Sequence, residues 1–301
     1  MKLRWSAGRA GVDGVRLAWE QAGPGRGEPL LLVMGLGGQL IHWPDALCGE
    51  LVGRGFRVIR FDNRDAGLSD DSDRGIGVNL PRTFLGSRLG LRLPANYSLH
   101  DLAADAVGLL DALGIGRAHL AGVSMGGMIG QILASRFPKR VCSLTSIMSS
   151  TNDPRLPPAR LDVLWRMSGI GGRPRTREAV IRRSTRMLQR IGSPAFPTPV
   201  EYRRHLAGRA YDRAFRPAGT MRQMQAILST GSLEGLVSQI RVPTQVVHGL
   251  SDPLLRPACG KRSARLIRGS RLELIPGMGH DMPPTLMPRW AELIAGNAAR
   301  A

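Results

Sequence analysis

Short apolar runs separated by stretches of helical spacing recur along most of this chain, and that alternation limits the fold more than any other feature. A strand buried on both faces reads as a near-continuous apolar run, and a parallel sheet wound with helices buries its strands that way. Strands are expected at Pro29–Met34, Phe56–Phe61, Ala118–Val123, Val141–Met148, Thr244–His248 and Arg271–Ile275. The clearest helix runs from Leu99 to Leu113. Ser98 with Asp101 three residues on forms a start close to a capping box, and Gly114 ends it.

The alternation breaks between about Asn152 and Gln239, where proline, arginine and helical spacing replace the strand pattern. Within this stretch Val180, Ile181, Met187, Leu188 and Ile191 share one helical face, while Arg182, Arg186 and Arg190 recur on another. Residues 169–174 read as a loop. The expected organisation is one α/β core, 1–151 and 240–301, with a mostly parallel central sheet flanked by helices and a helical cap, 152–239, inserted in it.

Gly122-Val-Ser124-Met-Gly126 lies between the strand ending at Val123 and a helix-like stretch, Met128 to Phe137. A serine on so sharp a strand-to-helix turn needs glycine-sized neighbours and has its Oγ pushed out above the sheet. A serine hydroxyl is inert until a base takes its proton. His280, in Gly277-Met-Gly-His280 after the last strand, is the histidine with both a loop position and the right chain order. His100 opens a helix, His119 and His248 fall in or at strands, and His205 lies in the insertion.

A carboxylate must hold the imidazole's tautomer and stabilise the imidazolium. Asp252, in Gly249-Leu-Ser-Asp252-Pro beyond the strand Thr244–His248, is favoured, with Asp153 after the preceding strand as the rival. Two backbone N–H groups must face the developing oxyanion. Met125, next to the serine, supplies one, and Leu36 in Met34-Gly-Leu-Gly-Gly38 the other, with Gly35 or Gly37 as alternatives. That glycine loop is not a phosphate cradle, because no lysine or Gly-Lys-Ser/Thr follows it. Trp165, Met221 and Met224 are candidates to line a substrate site, although Met and aromatic residues at helical spacing more often fill a core.

These pieces, Met34-Gly-Leu-Gly-Gly, Gly-Val-Ser124-Met-Gly-Gly, Gly-Leu-Ser-Asp252 and Gly-Met-Gly-His280, resemble the α/β-hydrolase superfamily over nearly the full length. Phe61-Asp-Asn-Arg-Asp-Ala-Gly-Leu-Ser69 is similar to the family's turn after its fourth strand, with Asp65-Ala66 in place of a smaller pair, and its expected role is structural. The Val33-Met-Gly opening and the Gly-Met-Gly-His280-Asp281 ending resemble bacterial esterases of the aclacinomycin methylesterase type. Many relatives carry His-Gly where this chain has Met34-Gly35. The resemblance implies a serine carboxylic-ester hydrolase acting through an acyl-enzyme on small to medium apolar esters, with no cofactor and no metal. A serine C–C hydrolase, lactonase or perhydrolase on the same triad, or a ligand-binding protein of the same fold, remains an alternative. Relatives that open epoxides or remove halogen use aspartate at the turn, so Ser124 argues against both.

The formal charge of +19 is nearly all arginine, since Lys2, Lys139 and Lys261 are the only lysines. The arginines are scattered, and no zinc-finger spacing or RNA-binding aromatic motif accompanies them, so a solvated basic surface is expected and no specific nucleic-acid partner. No apolar run approaches the roughly 18 residues of a membrane span. With no apolar leader at the N-terminus and an odd number of unclustered cysteines, Cys48, Cys142 and Cys259, the expected setting is the cytoplasm.

Overall fold

The computed structural model describes residues 3–91, 93–167 and 176–301, with the backbone alone at 165–167. Strands β1 (Ser6–Val12), β2 (Val15–Ala22), β3 (Glu28–Val33), β4 (Phe56–Phe61), β5 (Ala118–Val123), β6 (Val141–Ile147), β7 (Thr244–Gly249) and β8 (Arg271–Ile275) form one 8-stranded sheet. Their order is β1-β2-β4-β3-β5-β6-β7-β8. Pairing is antiparallel from β1 to β2 and from β2 to β4, and parallel everywhere else.

The chain steps outward from β3 to β4, then crosses to β5 on the other side of β3. At such a switch point successive connections leave in opposite directions and open a crevice at the strands' carboxyl ends. The loops after β3, β5, β7 and β8 therefore meet along one edge.

Strand side chains alternate between faces, which divides the core in two. Leu31 and Val33 pack with α3 (Leu99–Ala112) and α4 (Met125–Arg136), through Leu102, Leu109, Ile129 and Ile132. Leu30 and Leu32 point the other way, toward Leu47 and Leu51 and toward Trp290 and Ile294 near the C-terminus. Helix α1 spans Asp45–Gly53, and the short α2 spans Leu80–Arg88. The start of α3 has the expected chemistry: Ser98 Oγ accepts from the N–H of Asp101 at 3.4 Å, and Asp101 accepts the Ser98 N–H at 2.7 Å.

The β1–β2 hairpin was not expected from the sequence. It is an edge, polar and half exposed along β1, so it carries no apolar run. Its turn is nevertheless written in Asp13-Gly14, whose φ values of 42° and 80° are the paired positive values of a tight hairpin.

Between β6 and β7 lie α5 (Leu161–Met167), α6 (Arg177–Ile191), α7 (Val200–Arg213), α8 (Pro217–Thr230) and α9 (Glu234–Val237). Helix α6 buries Val180, Ile181 and Ile191 and leaves Arg182, Arg186 and Arg190 exposed. The expected loop at 169–174 and the side chain of Trp165 lie outside the described residues. After β7 come α10 (Pro257–Leu266) and α11 (Met287–Ala298).

Most of the described arginines are exposed, as expected of a solvated basic surface, but three are buried. Arg60, Arg64 and Arg222 are internal, at 3%, 1% and 7% exposure. Arg64 forks onto both oxygens of Asp105 at 2.6 Å, and Arg222 onto both oxygens of Asp65 at 2.6 and 2.9 Å. A guanidinium can be buried when a carboxylate meets its planar donors in this paired way. Cys48 and Cys259 are buried and Cys142 half-buried, all unbridged, and burial pushes the Cys48 thiol up to about 12. Among the described residues, no helix is long and apolar enough to cross a membrane.

Candidate active site

Ser124 ends β5 and opens α4 with φ 55° and ψ −119°. An L-residue held there is strained by about 1–3 kcal/mol, so the surroundings must impose it. They do so by close approach: a Cβ on Gly122 would lie 2.2 Å from the Gly126 carbonyl oxygen, and one on Gly126 would lie 2.0 Å from that of Val33. Ser124 N–H donates to the Ile147 carbonyl at 2.9 Å, and Ser149 Oγ donates to the Ser124 carbonyl at 2.7 Å.

His280 Nε2 lies 3.1 Å from Ser124 Oγ, and its Nδ1 lies 2.7 Å from Asp252 Oδ2. The other Asp252 oxygen accepts the N–H groups of Leu254 and Leu255, each at 2.9 Å. With Asp252 ionised, Nδ1 carries the proton and Nε2 offers its lone pair to the serine hydroxyl, an assignment inferred from these partners. Asp153 is engaged elsewhere. Both its oxygens meet Arg155 at 2.9 Å and Ser232 donates to it, so the guanidinium holds its carboxyl well below the usual range.

His248, expected only as a strand residue, sits four residues before Asp252 at the end of β7. Its Nε2 donates to the Leu255 carbonyl at 2.8 Å and lies 3.5 Å from Asp252 Oδ2. Burial pushes its imidazole below the ordinary range. Neutral, it borders Asp252 without competing for its charge.

The Met34–Gly38 loop touches the serine: a Cβ on Gly35 would lie 3.1 Å from Ser124 Cβ. Two of its N–H groups are occupied, Gly37 by Gln223 Oε1 at 2.8 Å and Gly38 by the Gly35 carbonyl at 3.0 Å. Gln223 comes from α8, and its own amide donates to the Arg64 carbonyl at 2.8 Å. That engagement occupies the Gly37 N–H, so of the three expected alternatives those of Leu36 and Gly35 remain.

The loop bearing His280 is strapped by the segment after α6. His280 N–H donates to the Ile191 carbonyl at 2.6 Å, Gly279 N–H to Ser193 Oγ at 2.9 Å, and Ala195 N–H to the Gly277 carbonyl at 3.1 Å. Ser193 Oγ also bonds Asp281, whose carboxyl burial pushes above its ordinary range. The fit is close: a Cβ on Gly279 would lie 2.4 Å from the carbonyl oxygens of Ile191 and Gly192.

Ser124 and His280 open into a cavity of about 1450 Å³, which Leu36, Met125, Met221 and Met224 also line. The expected substrate-lining residues Met221 and Met224 are thus on its wall, with Met187 and Leu188 of α6.

A profile described as alpha/beta hydrolase fold matches residues 28–284. The chain belongs to the α/β-hydrolase fold family. Rhodomycin D methylesterase DnrP of Streptomyces peucetius is 28% identical over 291 residues, covering 90% of this chain and 91% of that protein. A protein of Variovorax paradoxus (strain S110), provisionally named carbamate hydrolase RutD, is 29% identical over 271 residues, covering 88% and 89%. The crystal structure of the enol-lactonase from Burkholderia xenovorans LB400 superposes with a TM-score of 0.75, at 22% identity, over 97% of this chain and 100% of that one. This last likeness shows the fold.

In this α/β-hydrolase the turn after β4 ties the site to the insertion. Asn63 Nδ2 donates to the Met34 carbonyl at 3.1 Å, steadying the glycine loop. Asp62 accepts from Leu40 N–H at 2.7 Å and from Arg213 of α7 at 2.7 Å. Asp65 receives Arg222 of α8, and the Tyr97 hydroxyl donates to it at 2.7 Å.

Proposed function

We propose that this chain is a serine carboxylic-ester hydrolase. The observation that carries the reading is the unbroken line from Ser124 Oγ to His280 Nε2 at 3.1 Å and from His280 Nδ1 to Asp252 at 2.7 Å. Ser124 attacks the ester carbonyl as His280 takes its proton, and Asp252 stabilises the imidazolium that forms. The N–H groups of Leu36 and Met125 meet the oxyanion. His280 then returns the proton to the leaving alcohol. Water, activated by the same imidazole, cleaves the acyl-enzyme and releases the acid.

Residues 152–239 act as a cap whose Met187, Leu188, Met221 and Met224 shape the room for the substrate. A largely apolar wall suits esters with an apolar body. The methylesterase name borne by a relative of similar length supports the same reaction class. A second reading is favoured by the other relative: a carbamate offers the same carbonyl to the same serine.

Turnover of 4-nitrophenyl acetate, 4-nitrophenyl butyrate and a 4-nitrophenyl carbamate tests both readings. Ester hydrolysis that disappears in Ser124→Ala supports the proposal. Multiple turnover on the carbamate alone selects the second reading, and no Ser124-dependent release on any substrate refutes both.

A further inference from the structure

Helix α7 turns one stripe toward the cavity, where Arg203, Leu206, Ala207 and Ala210 all line the wall. These positions follow the i, i+3, i+4, i+7 spacing of a single helical face. Three of them suit an apolar wall; Arg203 does not. The neighbouring Arg204, off this stripe, is exposed, whereas Arg203 is half-buried.

The Nε of Arg203 is buried with no acceptor. Other guanidiniums of the same lining are engaged: Arg222 with Asp65, Arg216 with Asp71, and Arg88 with the Pro154 carbonyl. The lining carboxylates are likewise taken, Asp153 by Arg155 and Asp281 by Ser193. Among the described residues no carboxylate pairs with the Arg203 guanidinium, and where such a charge lines a binding cavity its remaining accessible donors suit an anionic group of a ligand.

We propose that Arg203 is the recognition point for a carboxylate on the substrate, so that the preferred esters carry an anionic group apart from the ester being cleaved. This deepens the hydrolase reading and rests on it. A guanidinium offers parallel donors that match a carboxylate's two oxygens, and partial burial strengthens the bond. The net charge of +19 would draw such anions toward the molecule. The carboxylate can belong to the acyl or to the alcohol portion, and the chemistry at Arg203 is the same.

Two pairs of esters separate those sources. Mono-4-nitrophenyl adipate against 4-nitrophenyl hexanoate places the charge on the acyl side, and 4-carboxyphenyl butyrate against phenyl butyrate places it on the alcohol side. Each rate is corrected for spontaneous hydrolysis and read as a ratio of kcat/KM, acidic over neutral. The wild type should favour the acidic member of one pair by about tenfold or more, as expected for a charge-assisted hydrogen bond. That ratio should fall toward its value for the uncharged contact in Arg203→Gln and be partly kept in Arg203→Lys. Thermal unfolding of both variants checks that they remain folded.

Ser124-dependent turnover of the neutral esters with no acidic preference in either pair overturns the subsite and leaves the hydrolase reading standing. A preference that persists unchanged in folded Arg203→Gln also overturns it. If no ester in the set shows Ser124-dependent turnover, the hydrolase reading fails and the subsite fails with it.

Discussion

Ser124, His280 and Asp252 stand far apart in the chain, yet each could be singled out from its local sequence, because each follows a strand at the same edge of the sheet. What the sequence could not order was the second tier. Gln223 is an ordinary polar residue on a helix until it is seen holding the Gly37 N–H, and His248 is a strand residue until Asp252 is placed beside it. Such contacts depend on the exact packing of distant elements and leave no spacing to read. The two candidate acids give a sharp residue-scale test. Asp252→Asn is expected to lower kcat by about 10⁴-fold, since the amide favours the wrong imidazole tautomer. Asp153→Asn should retain most activity, because Asp153 serves Arg155 and Ser232. Steady-state kinetics on one activated ester compares them, and the reverse ranking would move the acid to Asp153.

At the scale of elements, the inner strands and the edge strand β8 were legible and the β1–β2 hairpin was not, since β1 is polar, half exposed and carries no apolar run. The helix α6 was legible from its amphipathic spacing, but not the use made of the residues just beyond it. A helical cap was the expectation for this insertion. The strap from Ile191 to Ala195 onto the Gly277–Asp281 loop gives the insertion a share in placing His280. Ser193→Ala strips the acceptor from the buried Gly279 N–H and the partner from Asp281. We expect kcat to fall about tenfold with KM changed little, as for a lost hydrogen bond of about 1–1.5 kcal/mol felt in the transition state. Ser193→Thr, which keeps the hydroxyl, should restore most of it. Loss of folding stability with unchanged kcat would make Ser193 a purely structural residue.

Across the whole molecule, the insertion is fastened to the core by ion pairs, chiefly Arg222 on Asp65, with Arg213 on Asp62. Burial alone would raise the Asp65 carboxyl, but Arg222, the Tyr97 hydroxyl and the Ser72 N–H outweigh it and hold the group below its ordinary value. A carboxyl depressed in the folded state contributes stability that is fully present above its unfolded pKa, about 3.9, and is lost as pH falls through the lower folded value. Unfolding followed by circular dichroism in urea should therefore show a midpoint that falls from pH 5 toward pH 3. Arg222→Ala should destabilise the protein by about 3–5 kcal/mol near neutrality, because it leaves Asp65 buried and unpaired. In that variant much of the acid dependence should vanish. An unchanged urea midpoint in Arg222→Ala would mean that the insertion is held by its apolar contacts.

Acylation of Ser124 is the event on which the whole mechanism turns, and covalent labelling reads it directly. The protein is treated with a fluorophosphonate ester, and its intact mass and digested peptides are compared with those of Ser124→Ala and His280→Ala. A serine nucleophile at Ser124 predicts one phosphonyl adduct per chain, on the peptide containing Ser124, no adduct in Ser124→Ala, and slow labelling in His280→Ala. An adduct of equal rate in Ser124→Ala, or none in a folded wild-type protein, would contradict it.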